Sequence, residues 1–189
     1  MTSLPFNQTA FNLEQCILGC RQSQKALYDY YSGKMFAICL RYSKNQMDAE
    51  DIMQDAFVKL FNNLARFRGE GSFDGWVRRI FVNTAIEFIR KNKIASSEIG
   101  EGIEGSVACE SKDALDNLFE KDLLRSANNL SDGYKTVFSM YAVDGYSHKE
   151  IADKLGITES TSKSQFSRAK AILRNILQGN FDNSSIAAS

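Results

Sequence analysis

The chain has 189 residues, 43% of them hydrophobic and 11% aromatic, which is enough to bury one medium core or two small ones and excludes wholesale disorder. Its 23 basic and 23 acidic side chains cancel to a formal net charge of zero, so the total predicts no global attraction to a polyanion or a membrane surface.

With a single proline and long stretches of 3.6-residue periodicity, the chain is expected to be all-α. The first helix spans roughly residues 13–42 and is expected to break or kink near Ser32-Gly33. From Ala49 to Leu64 the apolar residues Ile52, Met53, Ala56, Phe57, Leu60, Phe61 and Leu64 form one stripe, with Asp51, Asp55, Lys59 and Asn62 on the other side. A helix from about Ser72 to Lys91 turns Trp76, Val77, Ile80, Phe81 and Phe88 inward and offers Arg79, Asn83, Glu87 and Arg90 outward. The pattern stops between Ile94 and Asp116, where IASSEIGEGIEGSVACESKDALD holds three glycines, four serines and scattered acids, the mark of a flexible acidic linker. Periodicity resumes at Leu115 and runs to Leu177, and GNFDNSSIAAS at the end is expected to be a disordered tail. The reading is two small helical domains, 13–93 and 115–178, with a linker over 94–114 and a tail over 179–189.

Charge follows these boundaries. Residues 66–93 carry seven basic side chains (Arg66, Arg68, Arg78, Arg79, Arg90, Lys91, Lys93) against three acids (Glu70, Asp74, Glu87), a net +4. Residues 158–177 carry Lys163, Arg168, Lys170 and Arg174 against Glu159, a net +3. Two basic helices in two domains, compensated by acids elsewhere, suit a nucleic-acid partner that the overall neutrality hides.

Within the second domain, Ser147-His148-Lys149-Glu150 reads as a capping box, in which Ser147 accepts from the Glu150 amide and the Glu150 side chain reaches back. Ile151, Ala152 and Leu155 face inward, Gly156 supplies a left-handed turn, Ile157 plugs the corner, and Thr158 caps the next helix. The inner face of that helix is Phe166, Ala169 and Leu173. This is a helix-turn-helix pattern, whose second helix can lie in a major groove with Lys163, Ser164, Gln165 and Arg168 directed at base edges and phosphates. The structural alternative is a helical hairpin with a solvated basic face. Ser162 occupies the inward position where an apolar residue is expected, which leaves more of the packing to Phe166.

Four cysteines (Cys16, Cys20, Cys39, Cys109) form no CxxC pair, and the one histidine, His148, is remote from them in sequence. They read as inert, reduced thiols of a cytoplasmic protein, with no metal site and no cofactor. One histidine and no glycine-rich phosphate loop also argue against an enzyme acting on nucleic acid. MTSLPFNQTAFNLEQ has no basic stretch followed by an apolar run, so no signal peptide is expected, and no run of about 18 apolar residues predicts a membrane span.

Three segments taken in order, AEDIMQDAFVKLFNNLARFRG (49–69), GSFDGWVRRIFVNTAIEFIRK (71–91) and DGYSHKEIADKLGITESTSKSQFSRAKAIL (144–173), carry a family resemblance. Over residues 13–178 the chain resembles the RNA polymerase sigma factors of the sigma-70 family, extracytoplasmic-function (ECF) subfamily. The resemblance implies a non-enzymatic factor that binds core RNA polymerase and directs promoter-specific initiation. It makes the first domain region 2 and the second region 4. The first segment resembles the face that docks on the polymerase clamp, with Asp51, Gln54 and Asp55 as contacts. The second resembles the element that melts and reads the minus-ten region, implying Phe67, Phe73 and Trp76 beside a single strand and Arg79, Asn83 and Arg90 on the DNA-facing helix. Phe73 and Trp76 suit a core equally well, and that alternative stays open at this point. The third segment implies that Lys163, Ser164, Gln165 and Arg168 read the duplex minus-thirty-five element. Promoter DNA, duplex and melted, is then a partner, an anti-sigma factor is admitted as another, and no membrane insertion is implied. A helix-turn-helix regulator that is not a polymerase subunit would account for residues 118–177 but would leave the aromatic-basic helix 71–91 without a role.

Overall fold

The structure, a computed structural model, describes residues 11–99, 126–127 and 130–186, and over these it is helical with no strand. The chain divides into two compact units, Met1–Gly102 and Ile103–Ser189.

Short-range signals set the helix boundaries of the first unit. Asn12 accepts a hydrogen bond from the Gln15 amide (3.0 Å) and opens α1, Leu13–Ile17. Gly19, at φ +82°, then turns the chain; its amide donates to the Cys16 carbonyl and the Cys20 amide to that of Gln15. α2 follows as one helix, Arg21–Tyr42. The break expected near Ser32-Gly33 therefore lies at Gly19 instead. A lone glycine costs a helix only about 1 kcal/mol, and Leu27, Tyr31, Met35 and Ile38, buried on both sides of Gly33, outweigh it. α3, Gln46–Asn63, starts where Asn45 accepts from the Asp48 amide (2.8 Å) and ends in a 3-10 turn, Leu64–Arg66.

α4 runs from Phe73 to Ile99, past Lys91 and into the expected linker. Between Lys93 and Gly100 the sequence offers no glycine or proline, and two serines are too weak a breaker to stop a helix already formed. The remainder of the expected linker, from Gly100 to Ala114, and the expected start of the second domain lie outside the described residues. α2, α3 and α4 share one core: Leu27, Tyr31, Met35 and Ile38 from the first, Ile52, Ala56, Phe57 and Leu60 from the second, and Phe73, Val77, Phe81, Val82 and Ile86 from the third. Each fully buried aliphatic or aromatic side chain contributes about 1.5–3 kcal/mol before the entropy of ordering is subtracted.

In the second unit α5, Asp132–Phe138, passes into a single π turn, Ser139–Val143. α6 is His148–Leu155 and α7 Glu159–Ile186. The capping box at Ser147 and Glu150 is fully formed. Gly156 sits at φ +65°, the Ile157 amide bonds the Ala152 carbonyl (3.1 Å), and Thr158 Oγ1 accepts from the Thr161 amide (3.1 Å). Ala127, Leu130, Phe138, Ala169 and Leu173 form the core, with Tyr134 and Phe166 packed against it. The tail expected from residue 179 is instead helix through Ile186. Propagating a helix whose first half is packed costs little per residue, and Gly179 alone is no barrier.

Candidate functional site

Asp51, Gln54 and Asp55 are one helical turn on α3, and all three are exposed on the side opposite Ile52, Ala56 and Leu60. Met47 (73% exposed) and Val58 (59%) stand a turn away on the same side and give this acidic face an apolar rim that sequence reasoning passed over. The signal for it, apolar residues at i−4 and i+7 from Asp51, was present in the helical spacing. Lys59, further round, bonds Glu87 of α4 at 2.7 Å.

A loop with Gly69 (φ +73°) and Gly71 (φ +87°) leads into α4. Ser72 Oγ accepts from the Gly75 amide and the Tyr31 hydroxyl donates to Asp74 (2.9 Å), anchoring the start of the helix to α2. Phe73 is 0% exposed, held between Phe11, Tyr31, Phe67 and Trp76 at ring-centroid distances of 5.1–6.0 Å. Of the two places left open for Phe73, the structure shows it packed in the core, enclosed by these four rings. Phe67 and Trp76, 5.4 Å apart and both half-buried, lean on it from the surface. Arg66 and Arg68 beside them are exposed, as are Arg79 and Arg90 along α4, while Asn83 is half-buried. Glu87 lies on the same side, but its charge is met by Lys59.

In the second unit Lys163, Ser164 and Arg168 are exposed on α7 and Gln165 is half-buried. Lys163 Nζ pairs with Glu159 Oε1 at 2.6 Å, and that hydrogen bond holds the Glu159 carboxyl below its usual range. Arg168 Nη1 approaches the Tyr134 hydroxyl at 3.4 Å, and Ser164 Oγ donates to the Thr161 carbonyl. Ser162 is fully buried with its hydroxyl 2.9 Å from His148 Nδ1.

Burial pushes the Cys39 thiol up to about 12 and raises that of Cys16, which fits the inert reading of both. Cys20 departs from it. At the start of α2 the amide and side chain of Ser23, and then the amide of Gln22, favour its thiolate and lower its pKa.

Two helical units with an acidic face, an aromatic-basic helix and a helix-turn-helix define a class of protein that joins a protein partner to DNA. Residues 27–94 match the model of Sigma-70 region 2, and residues 120–173 that of Sigma-70, region 4. The chain is similar to the ECF RNA polymerase sigma factor SigW of Bacillus subtilis, 29% identical with 88% of this chain and 95% of that one covered. The RNA polymerase sigma factor SigV of the same species is 30% identical over 74% of this chain and 81% of its own. The ECF RNA polymerase sigma-E factor of Haemophilus influenzae is 26% identical over 88% and 93%. In fold, the sigma factor RpoE crystallised with the anti-sigma factor NepR from Bartonella quintana matches at a TM-score of 0.53, with 22% identity, over 82% of this chain and 96% of that one.

The chain belongs to the sigma-70 family of RNA polymerase sigma factors, in its ECF group. As such it binds core RNA polymerase and promoter DNA and directs promoter-specific transcription initiation. No helix among the described residues is long and apolar enough to cross a membrane.

Proposed function

We propose that the three surfaces divide the work of initiation. The face of α3 bearing Asp51, Gln54 and Asp55 docks on the polymerase clamp, where its exposed acceptors meet basic partners. Phe67, Trp76, Arg79, Asn83 and Arg90 engage the minus-ten region. The half-buried rings offer stacking worth about 1–3 kcal/mol per base, against the few kcal/mol of extruding a base. Phe73 acts there as the buried support of the two outer rings. Lys163, Ser164, Gln165 and Arg168 of α7 read the minus-thirty-five duplex. The factor works without a catalytic step, in the cytoplasm with the polymerase. An anti-sigma factor is a further proposed partner, on the ground that the fold relative from Bartonella quintana was crystallised with one.

The observation that carries this reading is the separation of an exposed acidic helix face from two basic ones, with one basic helix in each unit. The test is transcription reconstituted from core polymerase and this chain alone on a genomic promoter library. Discrete start sites that appear only when the chain is added support the reading. A chain that changes rates only when another sigma factor is present is a regulator, and the proposal fails.

A further inference from the structure

Ser162 stands on the inward stripe of α7 with Phe166, Ala169 and Leu173, a place where packing alone would suit an aliphatic side chain. It is instead a hydroxyl, 0% exposed, at 2.9 Å from Nδ1 of His148, the first residue of α6. The imidazole stacks on Tyr141 of the π turn, centroids 4.3 Å apart and planes within 15°, and meets Phe166 of α7 edge-on at 5.7 Å. Tyr141 and Phe166 close the group at 4.4 Å. The imidazole thus joins α6 to α7 through the Ser162 hydroxyl and to the π turn through the Tyr141 ring.

An aliphatic side chain at this place would pack by dispersion, which has no direction, and would tolerate small rotations of the helix. A buried hydroxyl tolerates them poorly, because losing its partner leaves it desolvated and unpaired. Successive residues on a helix are 100° apart, so a rotation that withdraws Ser162 from His148 also swings Lys163, Ser164, Gln165 and Arg168 away from whatever they face. Buried polar pairs that set register in this way are attested elsewhere.

We infer that His148 and Ser162 are positioning residues for promoter readout: their bond fixes the rotation of α7 about its own axis and hence which base edges its outer side chains reach. This rests on the assignment of α7 to the minus-thirty-five element.

The test uses full-length protein assembled with core polymerase. A duplex selected by the parent holoenzyme from a library randomised at the minus-thirty-five region is competed against a scrambled duplex, and thermal midpoints are measured alongside. Ser162→Val fills the place without a polar group, His148→Phe keeps a ring on Tyr141, and Ser162→Thr keeps the hydroxyl. Ser162→Val and His148→Phe are expected to lower the selectivity ratio by about five-fold or more, the low end of one base contact. Ser162→Val keeps its thermal midpoint at or above the parent's; His148→Phe, which leaves the buried Ser162 hydroxyl without its partner, lowers its own, so selectivity is read well below every midpoint. Ser162→Thr retains parental selectivity. Should the valine variant not fold, His148→Phe decides. Parental selectivity in a folded valine or phenylalanine variant, or a loss that only follows the thermal midpoint, overturns the inference. Arg168→Ala in the same assay separates the two levels. If it loses selectivity while the other variants keep it, positioning alone has failed; if it only loses affinity for every duplex alike it is a phosphate clamp and the other variants decide; if neither selectivity nor affinity changes in any variant, the assignment of α7 fails and the inference with it.

Discussion

In the proposed readout of the duplex, Lys163 must leave Glu159 to reach DNA. The two pair across one turn of α7 at 2.6 Å, both side chains largely in solvent, and such pairs hold weakly. Because Lys163 keeps Glu159 ionised to lower pH than a free glutamate, the pair is complete at neutral pH and is lost as pH falls through the lowered value. At neutral pH a DNA phosphate must therefore compete with the carboxylate. Glu159→Gln removes the competitor and a charge that repels phosphate. Duplex affinity should rise roughly two- to five-fold at low salt, and the gain should shrink as salt is added. Fluorescence anisotropy at two ionic strengths measures it, and equal affinities at low salt would take Lys163 out of the interface. Among the described residues Arg168 is held by a long contact to Tyr134 and has no acidic rival. Arg168→Ala should cost about 1–3 kcal/mol with specificity relaxed at one or two positions; a uniform loss over all sequences would make it a phosphate clamp.

The helices answer to two kinds of force. On α3, burial fixes which side faces the core, and the exposed side is free to be spent on a partner. Substituting Asp51, Gln54 and Asp55 together by alanine should abolish capture of core polymerase in a pull-down while circular dichroism stays unchanged. Retained capture would refute the docking assignment, and a loss of helical signal would show that these residues support the helix. On α1 and α2, backbone conformation decides. Gly19 needs its left-handed φ, whereas a Cβ on Gly33 would meet open space within the helix. Gly33→Ala should raise stability by up to about 1 kcal/mol, and Gly19→Ala should lower it by about 1 kcal/mol. Urea unfolding of the two variants gives both values, and the opposite order would return the break to Gly33.

The two units are joined through a segment whose charge stands out in the sequence. From Ser96 to Asp116 six acids (Glu98, Glu101, Glu104, Glu110, Asp113, Asp116) face Lys112 alone, a net −5. From Gly100 onward it lies outside the described residues. A spacer needs no charge. The family resemblance implies that it threads the polymerase channel through which nascent RNA leaves, a path suited to a polyanion and hence basic. Replacing the four glutamates by glutamine is then expected to weaken holoenzyme assembly in a salt-dependent way and to change the ratio of short to full-length transcripts. If the ratio and the salt dependence both stay at parental values, the segment is a spacer.

Much of this architecture was legible one-dimensionally. The capping box of Ser147 and Glu150, the left-handed Gly156, the cap at Thr158 and the stripe from Ile52 to Leu60 are interactions between residues a few positions apart. Local geometry brings such neighbours together whatever the rest of the chain does, so spacing predicts them. Three features were not legible. Lys59 meets Glu87 across 28 positions and His148 meets Ser162 across 14, while Phe73 is enclosed by rings that begin at Phe11. An aromatic beside arginines has the same pattern whether it faces a base or a core, and a serine on an apolar stripe reads as a packing fault until its partner is in place. Which surfaces meet in space depends on how whole helices pack against one another, and that packing, set by the sum of many weak contacts, gave Phe73 to the core and Ser162 to His148.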